Sequence, residues 1–140
     1  MTGLTQKPPI RSSVDTRLKI AALWTAMLFV FAYVDLFSLY RPDVRADLAA
    51  GRLFAFDVSQ TFLFFTTLYI VCPSLMIYLS LVLHRGINRP LNVALAAVYA
   101  VTIVGSALGE WAYYVLGSAV ELVLLGAVVY HAWTWRETVG

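Results

Sequence analysis

Two carboxyl side chains lie inside apolar segments of the sequence and are the first candidates for chemistry. Asp35 is near the end of the first apolar segment, and Glu121 is well inside the last one. An ionisable side chain in a membrane-spanning helix costs about 2.5–3.5 kcal/mol on insertion scales and usually faces the interior of a helix bundle. Because two carboxyls in one low-dielectric pocket cannot easily both ionise, they share a proton. We therefore predict that Asp35 and Glu121 form a catalytic acid–base pair.

The alternative is that these carboxyls only hold the helices together through hydrogen bonds to tyrosine or arginine side chains. Polar residues of the other segments bear on this choice. Asp57, Gln60 and Glu110 fall in the same half of the membrane as the two carboxyls, and further polar residues recur at helical spacing. Such stripes either line a cavity or join helices, and for serine and threonine the joining role is favoured. The three stripes are Gln60, Thr67, Ser74 and Tyr78; Tyr99, Thr102, Ser106 and Glu110; and Tyr114, Ser118 and Glu121. The predicted substrate-binding residues are Tyr33, Gln60, Ser106, Glu110, Trp111, Tyr114 and Ser118.

The composition determines the class of protein that carries these residues. The chain has 140 residues, of which 61% are hydrophobic and 13% charged, and its mean hydropathy is +0.78. Soluble domains have about 45–50% apolar and about 25% charged residues. This composition excludes an ordinary soluble enzyme, a disordered segment and a nucleic-acid-binding domain, and it predicts an integral membrane protein.

Four apolar segments are each close to the length of about 20 residues that crosses a bilayer. Lipid accepts only helices or closed barrels, and these segments do not alternate in polarity as barrel strands do. The predicted fold is therefore an all-α, four-helix transmembrane bundle in a single domain, 18–135. Its helices cover about 18–40, 58–83, 91–109 and 112–135, between tails at 1–17 and 136–140.

The connections between these helices carry further signals. Asp15 or Ser13 is predicted to cap the first helix, and Pro90 is placed in the first turn of the third. The third and fourth helices form a tight hairpin. The loop at 41–57 either contains a short interfacial helix over Asp43–Ala50, capped by Gly51, or is a solvated connector.

Two glycines, Gly105 and Gly109, form a GxxxG motif in the third helix. This motif predicts a close approach to the small residues Gly117 and Ser118 of the fourth helix.

The distribution of lysine and arginine predicts the orientation of the bundle. Seven positive residues fall on the side of the chain termini and three on the other side, so both termini are expected in the cytoplasm and the protein in the cell membrane. The seven are Lys7, Arg11, Arg17, Lys19, Arg85, Arg89 and Arg136, and the three are Arg41, Arg45 and Arg52.

No metal or other cofactor is expected. Cys72 is the one cysteine, and His84 and His131 are read as residues at the membrane interface rather than as haem or metal ligands. The formal charge of +2 does not favour nucleic acid as a partner. The expected partners are a lipophilic small molecule, the bilayer itself and a second copy of the chain.

Several short stretches resemble a family of small uncharacterised four-helix membrane proteins of bacteria and archaea. The resemblance covers the chain from about Asp15 to Trp135. It rests on Asp15-Thr-Arg-Leu-Lys, Tyr33-Val-Asp35, Arg85-Gly-Ile-Asn88-Arg89 and Tyr130-His-Ala-Trp133-Thr-Trp135. The resemblance implies the four-helix fold and draws attention to Asn88 and Arg89, but it supplies no activity.

We therefore consider three functions. The first is a membrane-embedded enzyme that isomerises, cyclises or opens an epoxide in a terpenoid- or polyketide-like molecule by acid–base chemistry. The second is a small proton-coupled transporter or channel that uses the same carboxyls as a relay. The third is a structural or accessory membrane subunit.

Overall fold

Four helices of the computed structural model are long and apolar enough to cross a membrane, which indicates a membrane protein. The structure describes residues 14–136. Residues 1–13, which include Lys7, Arg11 and Ser13, and residues 137–140 lie outside this range. The elements are α1 (Thr16–Ser38), α2 (Pro42–Ala49), β1 (Arg52–Leu53), β2 (Phe56–Asp57), α3 (Gln60–Val82), α4 (Arg85–Ala107) and α5 (Ala112–Trp133). The predicted helical bundle is confirmed, with a short antiparallel hairpin added by β1 and β2.

Helix α1 packs against α3 and α5, and α5 packs against α1 and α4, whereas α3 and α4 contact each other at few positions. The predicted hairpin of the last two long helices is thus confirmed. We call the end of the bundle that carries α2, β1, β2 and the α4–α5 turn the loop end. The opposite end, with the start of α1, the end of α5 and the α3–α4 turn, is the termini end.

Local capping explains where α1 and α2 begin and end. The Asp15 side chain accepts a hydrogen bond from the Arg17 N–H at 2.9 Å, so the predicted cap of the first helix is confirmed. Of the two alternatives for the loop, the structure has the short helix, α2, and Gly51 follows its C-cap with φ +76°. A residue with a Cβ is disfavoured at that positive φ, which is why glycine ends this helix.

Helix α4 begins at Arg85, well before the expected start at position 91, so placing Pro90 in the first turn was wrong. The additional turns form because the His84 side chain accepts a hydrogen bond from the Gly86 N–H at 3.1 Å. The amide of Asn88 donates to the Ser80 carbonyl at 2.7 Å. Ser80 lies in the last turn of α3, where carbonyls have no partner within their own helix.

Four fully buried residues join α1, α3 and α4 near the termini end, and we call them the asparagine network: Trp24, Ser80, Asn88 and Asn92. The side-chain oxygen of Asn92 accepts hydrogen bonds from the Trp24 indole N–H at 2.7 Å and from the Ser80 hydroxyl at 3.3 Å. Its amide donates to the Asn88 side-chain oxygen at 2.6 Å. Sequence analysis missed this network, apart from the attention that the family resemblance drew to Asn88.

A second polar contact satisfies a backbone carbonyl of α3 that has no donor within its own helix. Pro73 has no backbone N–H, so the carbonyl of Tyr69, four residues earlier, loses its helical partner. The hydroxyl of Tyr99 on α4 donates to that carbonyl at 2.5 Å. Tyr99 also packs edge-to-face on Trp24, with ring centroids 6.3 Å apart. A proline inside a membrane helix is tolerated when a neighbouring helix satisfies the freed carbonyl.

The GxxxG prediction is wrong. A Cβ atom on Gly105 or Gly109 would meet nothing within 4 Å, and Gly109 instead forms the turn after α4 with φ +79°. The close approach lies between α1 and α5, where a Cβ on Gly117 would overlap the Val34 side chain. Because a β-branched side chain in a helix has one preferred rotamer, Val34 cannot turn away.

The contact between Tyr99 and the Tyr69 carbonyl predicts coupling between Tyr99 and Pro73. We expect Tyr99→Phe to lower the free energy of unfolding by about 1 kcal/mol, because it leaves a buried carbonyl without a donor. In a Pro73→Ala background the loss is smaller, because the introduced N–H bonds the carbonyl within α3. A double-mutant cycle of unfolding in mixed micelles measures this coupling. Equal losses in both backgrounds would contradict the assignment.

Candidate functional site

Asp35 is exposed at the wall of a groove near the loop end of the bundle. The groove has a volume of about 410 Å³ and lies between α1 and the segment formed by α2 and the hairpin. Apart from Asp35 and Ser38, its lining is apolar. We call it the Asp35 groove; its other lining residues are Ala32 and Leu36 of α1, Leu39 at the C-cap of α1, Val44 and Leu48 of α2, and Leu53 and Phe54 of the hairpin.

The outer wall of the groove depends on the fold of the loop. The sequence predicts an apolar side of this loop formed by Leu48, Leu53, Phe54 and Phe56. The first three line the groove, whereas Phe56 is exposed and stacks on Phe62 of α3. Phe54 has φ +53°, the one positive value among the described non-glycine residues. Left-handed backbone costs about 1–2 kcal/mol for such a residue, so the hairpin holds Phe54 in this position at some energetic cost.

Glu121 lies in the core of the bundle, with 3% of its surface exposed. Within residues 14–136, no side chain or backbone group forms a hydrogen bond or ion pair with its carboxyl. Asp35 lies close enough to interact with Glu121 electrostatically, and Tyr69 of α3 interacts with both carboxyls. The structure therefore places the two predicted catalytic residues in one region of the loop-end half.

Hydroxyl groups of α3, α4 and α5 surround this region. The Tyr69 hydroxyl lies 2.6 Å from the Thr102 hydroxyl. Tyr114 is buried beside Ser106 and interacts electrostatically with both carboxyls. Ser118 is also buried, one turn before Glu121. The polar stripe of α5 thus faces the interior of the bundle, as its spacing predicts. On α4 only Tyr99 of the predicted stripe is buried, whereas Thr102 and Ser106 are exposed, and the Ser106 hydroxyl donates to the Ile103 carbonyl of its own helix at 2.9 Å.

The stripe predicted on α3 does not line the interior. Gln60, Thr67, Ser74 and Tyr78 are all exposed. The hydroxyls of Thr67 and Ser74 donate to carbonyls of their own helix, at 2.8 and 2.7 Å. A hydroxyl satisfied by the preceding turn of its own helix can face lipid without a partner helix.

Two predicted substrate-binding residues lie apart from the carboxyls. Tyr33 is 53% exposed, and its ring contacts Phe37 of the same helix. Gln60 lines a separate surface groove with Phe64 and Thr67. Neither residue belongs to the lining of the Asp35 groove.

Glu110 and Trp111, also predicted to bind substrate, are partners of a buried arginine. Arg41 forms ion pairs with Glu110 at 2.5 Å and with Asp43 at 2.6 Å. Its guanidinium lies 4.5 Å from the centroid of the Trp111 ring. We call these four residues the Arg41 cluster. It fastens the end of α1 to the α4–α5 turn, and sequence analysis missed it because Arg41 was counted only as a loop charge.

The charges of the Arg41 cluster affect one another. Hydrogen bonds to Asp43 and Glu110 raise the pKa of the Arg41 guanidinium. The same contact with Arg41 lowers the pKa of the exposed Asp43 carboxyl below its ordinary value. Beneath the cluster, the Ser38 hydroxyl lies 2.9 Å from the Tyr113 hydroxyl and adds a second link between α1 and α5.

The two histidines have local contacts. His84 caps α4, and the His131 ring packs edge-to-face on Tyr130, with centroids 5.3 Å apart. In the part of the chain that the structure describes, no three histidine, cysteine or acidic residues are grouped so that they could hold a metal ion.

Comparison with known proteins identifies the family. A family described as "Family of unknown function (DUF6326)" matches residues 13–139, so the chain belongs to this family. This confirms the expected membership of a small uncharacterised family. No curated protein and no solved structure matches the chain.

The ion pair between Arg41 and Asp43 predicts a pH dependence of stability. Because the pKa of Asp43 is lowered in the folded protein, its stabilisation is fully present above the ordinary aspartate pKa, about 4, and is lost as pH falls through the lower, folded value. We expect wild type to be more stable than Asp43→Asn at pH 6, and the difference to vanish in acid. Thermal unfolding in detergent at several pH values measures it.

The matched control is Asp57→Asn, which removes an exposed carboxyl that forms no ion pair with a described residue. Its stability relative to wild type is expected to stay constant over the same pH range. A difference for Asp43→Asn that does not change with pH would show that the ion pair does not stabilise the fold.

Proposed function

We propose that this member of the DUF6326 family is a membrane-embedded enzyme that acts on a lipophilic small molecule by carboxyl acid–base chemistry. Asp35 and Glu121 are the acid–base pair. One observation carries the proposal: Glu121 is buried, lacks a hydrogen-bond partner among the described residues and lies near Asp35, which lines an apolar groove.

If the two carboxyls only held helices together, Glu121 would form a hydrogen bond or an ion pair with another residue. The described residues supply no such partner. Removing a carboxyl from water is costly unless hydrogen bonds or an opposite charge compensate. Glu110 has such compensation from Arg41. Glu121 is 3% exposed and has neither an ion pair nor a hydrogen bond within the described chain. No fully buried side-chain oxygen in residues 14–136 lacks a partner, so the Glu121 carboxyl oxygens keep a small accessible surface. A carboxyl placed in this way inside a bundle, without a structural partner, is typical of functional sites.

The groove supports a lipophilic substrate. Its volume of about 410 Å³ is in the range of about 300–1,000 Å³ that is usual for small-molecule sites. Leu36 and Leu39 on its wall are also exposed at the bundle surface, so an apolar molecule can enter sideways from the bilayer. Asp35 and Ser38 supply its polar side chains.

The proposed chemistry needs only proton transfer. The protonated carboxyl of Asp35 gives its proton to a double bond or an epoxide oxygen of the substrate. The Asp35–Glu121 pair, which has lost one proton, then takes a proton back. This proton comes from another carbon of the same molecule in an isomerisation or cyclisation, and from the added water in an epoxide opening. In an isomerisation or cyclisation the atoms of substrate and product are identical, and epoxide opening adds one water.

The competing function, proton-coupled transport, needs a polar path through both halves of the bundle. In the termini-end half, the residues buried between α1, α3 and α5 are apolar: Met27, Met76, Leu125, Val128 and Ala132. The asparagine network there contains no group that titrates near neutral pH. Because these buried residues offer no titratable group that could pass a proton on, the termini-end half favours an enzyme over a proton relay across the membrane.

We further propose that both termini face the cytoplasm and that the loop end faces the outer side of the cell membrane. The excess of lysine and arginine on the side of the termini supports this orientation. The Asp35 groove would then receive its substrate from the outer leaflet.

Incubating the reconstituted protein with a lipid-soluble extract of its own cells tests the proposal. We expect wild type to convert at least one compound into a product of equal mass, or of the mass plus one water. Asp35→Asn and Glu121→Gln are each expected to slow this conversion by about 10²–10⁴-fold, the usual contribution of a general acid or base. Chromatography with mass spectrometry measures both compounds over time.

Asp57→Asn is the control, because it changes a carboxyl to an amide on the exposed hairpin and is expected to keep full activity. Conversion at the wild-type rate by Asp35→Asn and Glu121→Gln would refute the acid–base roles. An unchanged extract, combined with acid-driven flux in sealed vesicles that Asp35→Asn abolishes, would establish the transporter instead.

A further inference from the structure

Two adjoining cavities at the termini end are independent of the Asp35 groove. One, of about 360 Å³, is lined by His84, Arg85 and Gly86 together with Arg89 and Pro90. The other, of about 280 Å³, is lined by the same Arg89 and Pro90 and by apolar side chains of α4 and α5. Because Arg89 and Pro90 line both cavities, the two cavities lie side by side, one with a charged lining and one with an apolar lining.

Arg89 lies where the two cavities meet. Its guanidinium is 5.1 Å from the centroid of the Trp133 ring. This cation–π contact orients the charge but leaves its N–H donors for another acceptor. The ion pairs found within residues 14–136 all lie at the loop end, so no described carboxylate neutralises Arg89. Asp15, the described acidic residue at this end, accepts its hydrogen bond from the Arg17 backbone.

The start of α4 does not itself supply the anion donors. The Gly86 N–H donates to the His84 side chain, and the next two N–H groups donate to the His84 carbonyl. An anion in the charged cavity must therefore be held by guanidinium groups. A planar guanidinium with several N–H donors suits a phosphate group.

The apolar cavity suits a hydrocarbon chain. Apart from Arg89, its lining consists of Pro90, Val93, Ala94 and the ring of Trp133. Tryptophan is enriched where the hydrocarbon of the bilayer meets the headgroups. The charged cavity and the apolar cavity therefore follow the order of a phospholipid, with phosphate first and acyl chain next.

We propose that these two cavities bind one acidic phospholipid, with its phosphate on Arg89 and the upper part of an acyl chain against Val93, Ala94 and Trp133. Arg17 and Arg85 at the same end add to the positive potential that attracts an anionic headgroup. The site is at the opposite end of the bundle from Asp35 and does not depend on the enzymatic proposal.

Native mass spectrometry of the detergent-solubilised protein, titrated with phosphatidylglycerol or with phosphatidylcholine of identical acyl chains, tests this site. We expect phosphatidylglycerol to bind wild type more tightly. Arg89→Gln is expected to weaken it about fivefold, the change that loss of about 1 kcal/mol per arginine near the membrane surface produces. The affinity for phosphatidylcholine is expected to stay within about twofold of wild type, since the acyl cavity is unchanged.

Arg45→Gln is the matched control, because it removes an exposed arginine of α2 at the loop end. It is expected to leave phosphatidylglycerol binding unchanged, and equal losses in the two arginine variants would overturn the proposal. Ala94→Trp fills the apolar cavity and is expected to weaken both lipids. Binding of water-soluble glycerol phosphate as tightly as of phosphatidylglycerol would identify a phosphate site and overturn the lipid proposal.

Discussion

The hydrocarbon of a membrane contains no water, so every polar group inside the bundle must find its partner within the protein. The asparagine network meets this requirement for three helices at once, since Asn92 accepts from Trp24 and Ser80 while donating to Asn88. Where Pro73 removes a helical donor, a tyrosine on the next helix replaces it. The arrangement of the long helices follows from these contacts, because each one fixes the rotation of a helix about its own axis.

The carboxyls of Asp35 and Glu121 differ from these polar groups, because no described residue forms a hydrogen bond or an ion pair with either of them. Arg41 is also a buried charge, but two carboxylates and an aromatic ring compensate it. Glu121 has no comparable partner in the described part of the chain, although it lies deeper than Glu110. Glu121 does not itself line the Asp35 groove, and its electrostatic interaction with Asp35 is the link on which the proposed chemistry depends. Among the hydroxyl groups around the pair, those of Tyr114 and Ser118 belong to buried residues, whereas Thr102 and Ser106 are exposed.

Features of the structure that depend on local sequence could be predicted, whereas those that depend on contacts between helices could not. Segment length and composition predict the four spans, and Asp43–Ala50 with Gly51 predicts α2, because these signals are local. The side of each span that faces the core is harder to predict, since lipid and core are equally apolar and the hydroxyls of α3 turned outward. The close contact of Gly117 with Val34 joins residues far apart in sequence, which no periodicity reveals. The early start of α4 depends on a polar cap by His84 and on the Asn88–Ser80 contact, which hydropathy does not register. Asp35 and Glu121 can be selected as candidates from the sequence because a charge inside an apolar segment is a local signal, and their roles stay predictions.

The central claim is that Glu121 serves function rather than stability, and the free energy of unfolding in mixed micelles tests it most directly. Glu121→Met replaces the carboxyl by an apolar group of similar length, and Asn92→Leu does the same at the asparagine network. The account predicts that Glu121→Met is at least as stable as wild type, whereas Asn92→Leu loses about 2 kcal/mol because it leaves buried donors unsatisfied. A loss for Glu121→Met as large as that for Asn92→Leu would show that Glu121 holds the bundle together and would contradict the account.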